Sequence, residues 1–112
     1  MPANNPEWLD IVRHRVRRLP APFLLVVQHH AIPSARRLVA PVTLPMPSDL
    51  DILAPRVTID GVVHRIRVLD MFSLPLSFIG ETVRSLTEER DAVMNAIDVI
   101  LHGYPAGLSR LH

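Results

Sequence analysis

Two adjacent imidazoles, His29 and His30, are the first side chains in this 112-residue sequence that could do chemistry, since histidine is a common metal ligand. On a strand, neighbours point to opposite faces, so the pair cannot readily grip one ion, and no further ligand pair lies nearby. No metal is expected. A Ser–His–Asp set can be assembled on paper from Ser77, His64 and Asp70, but the strand–turn–helix elbow that exposes a nucleophile is missing. His64 alternates with Val62, Ile66 and Val68, which marks it as a core or interface histidine. Phosphate chemistry has no glycine-rich loop to use, the four glycines being Gly61, Gly80, Gly103 and Gly107. Arginine remains. Arg13, Arg15 and Arg17 would share one face of an extended chain, with Arg18 next, and read as a solvated strand end. Arg36-Arg37 opens another predicted strand, where structural pairing and partner contact stay equally open. Neither a catalytic group nor a cofactor is expected.

The elements that must carry these residues are several short strands and then one helix. Residues 8–14 read as a first strand. Residues 23–28 form a short apolar run flanked by proline, as in a central strand covered on both faces. Residues 36–44 follow as a third, and one helical turn is expected near residues 49–53. Asp60-Gly61 separates residues 57–59 from 62–69 as a two-residue hairpin turn requires. In residues 71–79, Phe72, Leu74, Leu76 and Phe78 alternate with Ser73, Pro75 and Ser77, and Pro75 places this strand at an edge. The period then changes. Thr87 can cap a helix whose first turn holds Glu88, Glu89 and Asp91. Val93, Met94, Ile97, Ile100 and Leu101 make its apolar stripe, Gly103 stops it, and Pro105 prevents continuation. The pattern predicts an antiparallel, partly closed sheet with a packed helix.

Length and composition fit one domain, residues 1–112, with 1–7 as a loose lead-in. At 48% apolar and 21% charged residues the chain belongs among soluble globular proteins rather than disordered ones. The absence of cysteine removes disulfides and thiolate metal sites and fits a reducing cytoplasm. No run approaches the roughly 20 apolar residues that span a bilayer. A net charge of +1 gives no argument for nucleic acid.

Residues 73–81, Ser-Leu-Pro-Leu-Ser-Phe-Ile-Gly-Glu, with Asp70-Met71 before them, resemble the CcdB toxins of bacterial toxin–antitoxin modules. So do Asn95-Ala96-Ile97 and Gly103 on the helix, and the register holds without gaps over about residues 55–104, more loosely back to about Leu9. The resemblance implies an SH3-like barrel of the CcdB/MazF type with a terminal helix, assembled as a homodimer. It further implies a non-enzymatic toxin that binds the A subunit of DNA gyrase and is neutralised by a CcdA-like antitoxin, without touching nucleic acid or membrane directly. The positions matching the gyrase-binding site are Ala31, Ile32, Asp98, Leu101, His102, Gly103 and Tyr104. The family pattern ends Phe-Trp-Gly-Ile, whereas this chain reads Leu101-His102-Gly103-Tyr104 and continues through residues 105–112. Asp98 stands for an asparagine and Ala31 for a larger aliphatic. Truncating a tryptophan hot spot costs about 2 kcal/mol or more, about thirtyfold in affinity, for which Tyr104 is the available substitute. Two alternatives follow: a diverged homologue that binds antitoxin but no longer poisons gyrase, and a MazF-like endoribonuclease using arginine with a hydroxyl or histidine.

Overall fold

The computed structural model describes residues 6–15 and 22–103, which leaves Arg17, Arg18, Tyr104 and residues 105–112 outside the described residues. Among the described residues seven strands form one antiparallel sheet: β1 (Asp10–His14), β2 (Phe23–Val26), β3 (Arg36–Thr43), β4 (Arg56–Ile59), β5 (Val62–Ile66), β6 (Phe72–Pro75) and β7 (Ile79–Ser85). Their order is β4-β5-β3-β2-β1-β7, with β6 added to β3. Strand β3 is the pivot. One edge pairs with β2, while its other edge pairs with β6 over Arg36–Val39 and with β5 at Val42 and Thr43. The sheet curls into a half-barrel, and helix α1 (Arg90–His102) packs on it through Val93 and Ala96, as expected for this fold class.

Strand β2 shows why residues 23–28 carry no alternation. Leu24, Leu25 and Val26 are all fully buried, because the strand lies between two apolar clusters. Leu25 joins Ile11, Val42, Ile66, Val93 and Ala96 inside the curl. Leu24 and Val26 join Val12, Val39, Leu74 and Ile79 on the opposite face. The hairpin is confirmed as well. Asp60 (φ 51°) and Gly61 (φ 78°) are both left-handed, the geometry that keeps a two-residue turn in step with the twist of β4 and β5. The free edges β4 and β7 are bridged by a side chain, Arg84 Nη1 donating to the Thr58 carbonyl at 2.8 Å.

Three expectations need correction. Residues 71–79 are not one strand: β6 ends at Pro75, a 3₁₀ turn covers Leu76–Phe78, and β7 begins at Ile79. Leu74 is buried but Phe78 is 42% exposed, since the turn rotates it off the inward face. Pro75 does lie on an edge strand, since β6 pairs only with β3. Helix α1 starts at Arg90 behind Glu89, not behind Thr87, and no side chain caps it. The Glu89 carboxylate is drawn to Arg84 at 3.0 Å and to the Thr87 N–H, which holds residues 87–89 in a turn and leaves only Asp91 acidic in the first helical turn. The buried stripe is Val93 and Ala96, with Ile97 and Ile100 packed beside them, while Leu101 points outward.

Glycine matters most at Gly80, within the stretch shared with CcdB toxins. A Cβ there would sit 2.9 Å from the Arg13 carbonyl oxygen. Strands β1 and β7 approach each other at that point, within the register shift that separates the Val12–Thr82 pair from the His14–Ile79 pair.

Candidate functional site

Helix α1 ends where Gly103 adopts φ 80° and donates its N–H to the Val99 carbonyl at 2.7 Å, a left-handed stop that a side chain would disfavour. Around it Leu101 is 65% exposed, His102 and Gly103 are exposed, and Asp98 is half-buried. Asp98, Leu101 and His102 are spaced three and four apart and so occupy one face. An apolar knob thus stands between an acid and an imidazole on the last turn.

The other half of the expected site is the loop after β2. The Ile32 N–H donates to the His29 carbonyl at 3.0 Å, closing a turn that leaves Ile32 54% exposed. Its base is held by a stack: the His29 and His30 rings lie 4.3 Å apart, the Trp8 ring 5.5 Å from His29, and the Arg90 guanidinium 4.8 Å from Trp8. The Trp8 N–H donates to His30 Nδ1 (3.1 Å) and the Ala31 N–H to His29 Nδ1 (3.0 Å). Each ring is therefore a neutral tautomer with its proton on Nε2. Among the described residues no group of three or more His, Asp or Glu is arranged to hold a metal.

The two halves are not in contact. No hydrogen bond or ion pair among the described residues joins Ala31 or Ile32 to the helix end. Arg90, against which the loop's base stacks, opens the helix that His102 closes, and twelve rises of ~1.5 Å put ~18 Å between them.

The paired arginines serve the fold. Arg36 Nε donates to Ser73 Oγ at 2.8 Å, and the buried Arg37 donates to the Ser34 and Arg36 carbonyls. Arg13 pairs with Glu81 at 2.9 Å and lies over the Phe23 ring. His64 is a core histidine, as its strand pattern predicted: it is buried, edge-on to Phe23, with Nδ1 2.9 Å from the Val62 carbonyl.

A charged cluster was not anticipated. Arg65 is buried although it alternates with the aliphatic face, because it pairs with Asp51 at 2.6 Å, while Arg67 pairs with Asp49 at 2.6 Å. The Arg67 hydrogen bond, followed by the Met46 N–H, holds the Asp49 carboxyl down at about 2. Arg65, then Arg56, lowers that of Asp51. The sequence signal was the shared spacing of two, Asp49-x-Asp51 against Arg65-x-Arg67. Beside the cluster opens a cleft of about 610 Å³ lined by residues that include His14, Thr43, His64, Arg67, Asp70 and Phe72. It gathers two members of the paper triad, His64 and Asp70, but not Ser77.

The family model described as CcdB protein matches residues 11–103. The chain belongs to the CcdB family. No curated protein matches it. Among solved structures, an endoribonuclease in complex with its cognate antitoxin from a mycobacterial species is similar at 12% identity and TM-score 0.71, over 86% of this chain and 94% of that one. A second mycobacterial endoribonuclease is similar at 16% identity and TM-score 0.68, over 91% and 95%. At such identities the likeness is one of fold.

Proposed function

We propose that the protein is the toxin of a bacterial type II toxin–antitoxin pair that inhibits DNA gyrase by seating the end of α1 on the gyrase A subunit. The observation that carries this is the exposure of Leu101, His102 and Gly103 on a CcdB-family helix, with nothing among the described residues covering them. The mechanism is recognition. Leu101 is the apolar anchor, Gly103 ends the helix so that its last turn is presented, and Ile32 forms a second contact. Gyrase itself supplies the covalent chemistry on DNA, and this chain acts in the cytoplasm as a homodimer without enzymatic activity of its own. A cognate antitoxin would neutralise it, a reading supported by the similar fold found with one. Purified protein is expected to inhibit supercoiling by its host's gyrase and to accumulate cleaved DNA. Undisturbed supercoiling would refute the reading, and a folded chain harmless to a sensitive host would point to the diverged homologue.

A second reading, the MazF-like endoribonuclease, draws on a hydroxyl–arginine pair in the cleft, Arg67 Nε donating to Thr43 Oγ1 at 2.5 Å. Against it, Arg67 is already matched by Asp49, and Arg36 and Arg37 are bonded within the fold. RNA degradation by nuclease-free protein would reverse this ranking.

A further inference from the structure

We propose that the cleft between β3, β5 and the 3₁₀ turn at Val68–Asp70 is a binding pocket for an amino-bearing nucleobase. This goes beyond the gyrase reading and does not depend on it, and it departs from the expectation that the chain has no direct contact with nucleic acid.

Size and lining come first. At about 610 Å³ the cleft lies within the range of roughly 300–1,000 Å³ typical of small-molecule sites. Its walls are mainly apolar, with Pro41, Leu44, Met46 and Phe72 offering flat or adaptable surface to a planar ring. The polar groups then select the ligand. Arg67 spends four of its five N–H donors on Thr43, Leu44 and Asp49, and the Thr43 hydroxyl accepts from Arg67 while donating to the Leu44 carbonyl. His14 is already partnered. Beside the last Arg67 N–H, which is held against Asp49, two groups remain, and both are acceptors. The Val62 carbonyl can only accept, so His64 Nδ1 carries the proton, and in the neutral ring Nε2 presents a lone pair. The Asp70 side chain makes no hydrogen bond or ion pair among the described residues.

A hole with apolar walls and two acceptors calls for a flat ring bearing N–H donors. The exocyclic amines of adenine, guanine and cytosine each supply two N–H donors without carrying a full charge, whereas uracil has a single ring N–H. A lysine or arginine side chain would also donate, but it would bring a cation against apolar walls with one carboxylate to match it, which is the costlier burial. The same base could come from a free nucleoside or from a single-stranded RNA.

The test uses the full chain with its methionine methyl groups isotopically labelled, Met46 reporting on the cleft. Adenosine, guanosine, cytidine and uridine are titrated separately. The amino-bearing bases are expected to shift the Met46 signal, with uridine weaker by at least about fivefold. Asp70→Asn, which disturbs no bond of the fold, should abolish that preference while leaving the remaining methyl signals in place. Tighter binding of a short single-stranded RNA than of the free nucleosides assigns the base to a strand, and equal binding assigns it to a free nucleotide; either supports the pocket. Silence of Met46 towards all four nucleosides, equal response to uridine, indifference to Asp70→Asn, or tighter binding of an arginine-containing peptide would overturn it.

Discussion

At Gly80 a single hydrogen atom decides whether β1 and β7 can meet. Replacing it with a methyl group would press 2.9 Å against a backbone oxygen that cannot rotate away. Gly80→Ala is therefore expected to lower stability by about 1–3 kcal/mol, the cost of overpacking, measured by chemical denaturation. Asp49 acts through charge. Its carboxyl titrates near 2 in the fold against 3.8 ordinarily, so its contribution is complete above about pH 4 and is lost as pH falls towards 2. Asp49→Asn should flatten the acid limb of the stability profile and weaken the fold at neutral pH, where Arg67 would lose its counter-charge; acid titration followed by circular dichroism checks both. At this scale the sequence was only partly legible. His64 and Gly103 were readable from their local pattern. Arg65 was not, because alternation marks a face as outward, and only the distant Asp51 shows that this one is covered.

At the scale of elements, strong local chemistry was easiest to read. The Asp60-Gly61 turn, the buried run of β2 and the glycine stop of α1 each depend on residues adjacent in sequence. Boundaries set by distant partners were not readable. Thr87 is a good cap by type, yet the Arg84–Glu89 pair moves the helix start to Arg90. Alternation through residues 71–79 promises one strand, yet the chain must leave β3 and reach β1, and the 3₁₀ turn at Leu76–Phe78 makes that change. The helix end yields a clean separation of stability from function. Gly103→Ala should destabilise the helix by about 1 kcal/mol, the cost of a left-handed side chain, shown by a lower melting temperature. Leu101→Asp should leave the melting temperature within about a degree or two, because exposed substitutions shift stability by ~0.5 kcal/mol or less.

The whole molecule is a curled sheet closed at its seam by side chains and a helix. Arg84 spans that seam, reaching Thr58 on β4 and Glu89 before α1. Arg84→Ala should cost about 1–3 kcal/mol, as for hydrogen bonds to a charged group, with amide exchange rising along β4. None of this closure could be read from periodicity, which predicts strands and a helix but not their order. The barrel architecture became visible through the resemblance to CcdB toxins, carried by residues spread from 70 to 103, while the strand order came only with the structure. That resemblance also marked the helix end, although the described fold places the loop with Ile32 towards the opposite end of α1. The measurement that bears most directly on the central proposal is calorimetric titration of the host gyrase A subunit with the wild-type chain and with Leu101→Asp. The account predicts saturable binding by the wild type and a loss of about 2 kcal/mol or more, about thirtyfold, for the variant. Equal affinity of the two chains, or no binding by either, would contradict it.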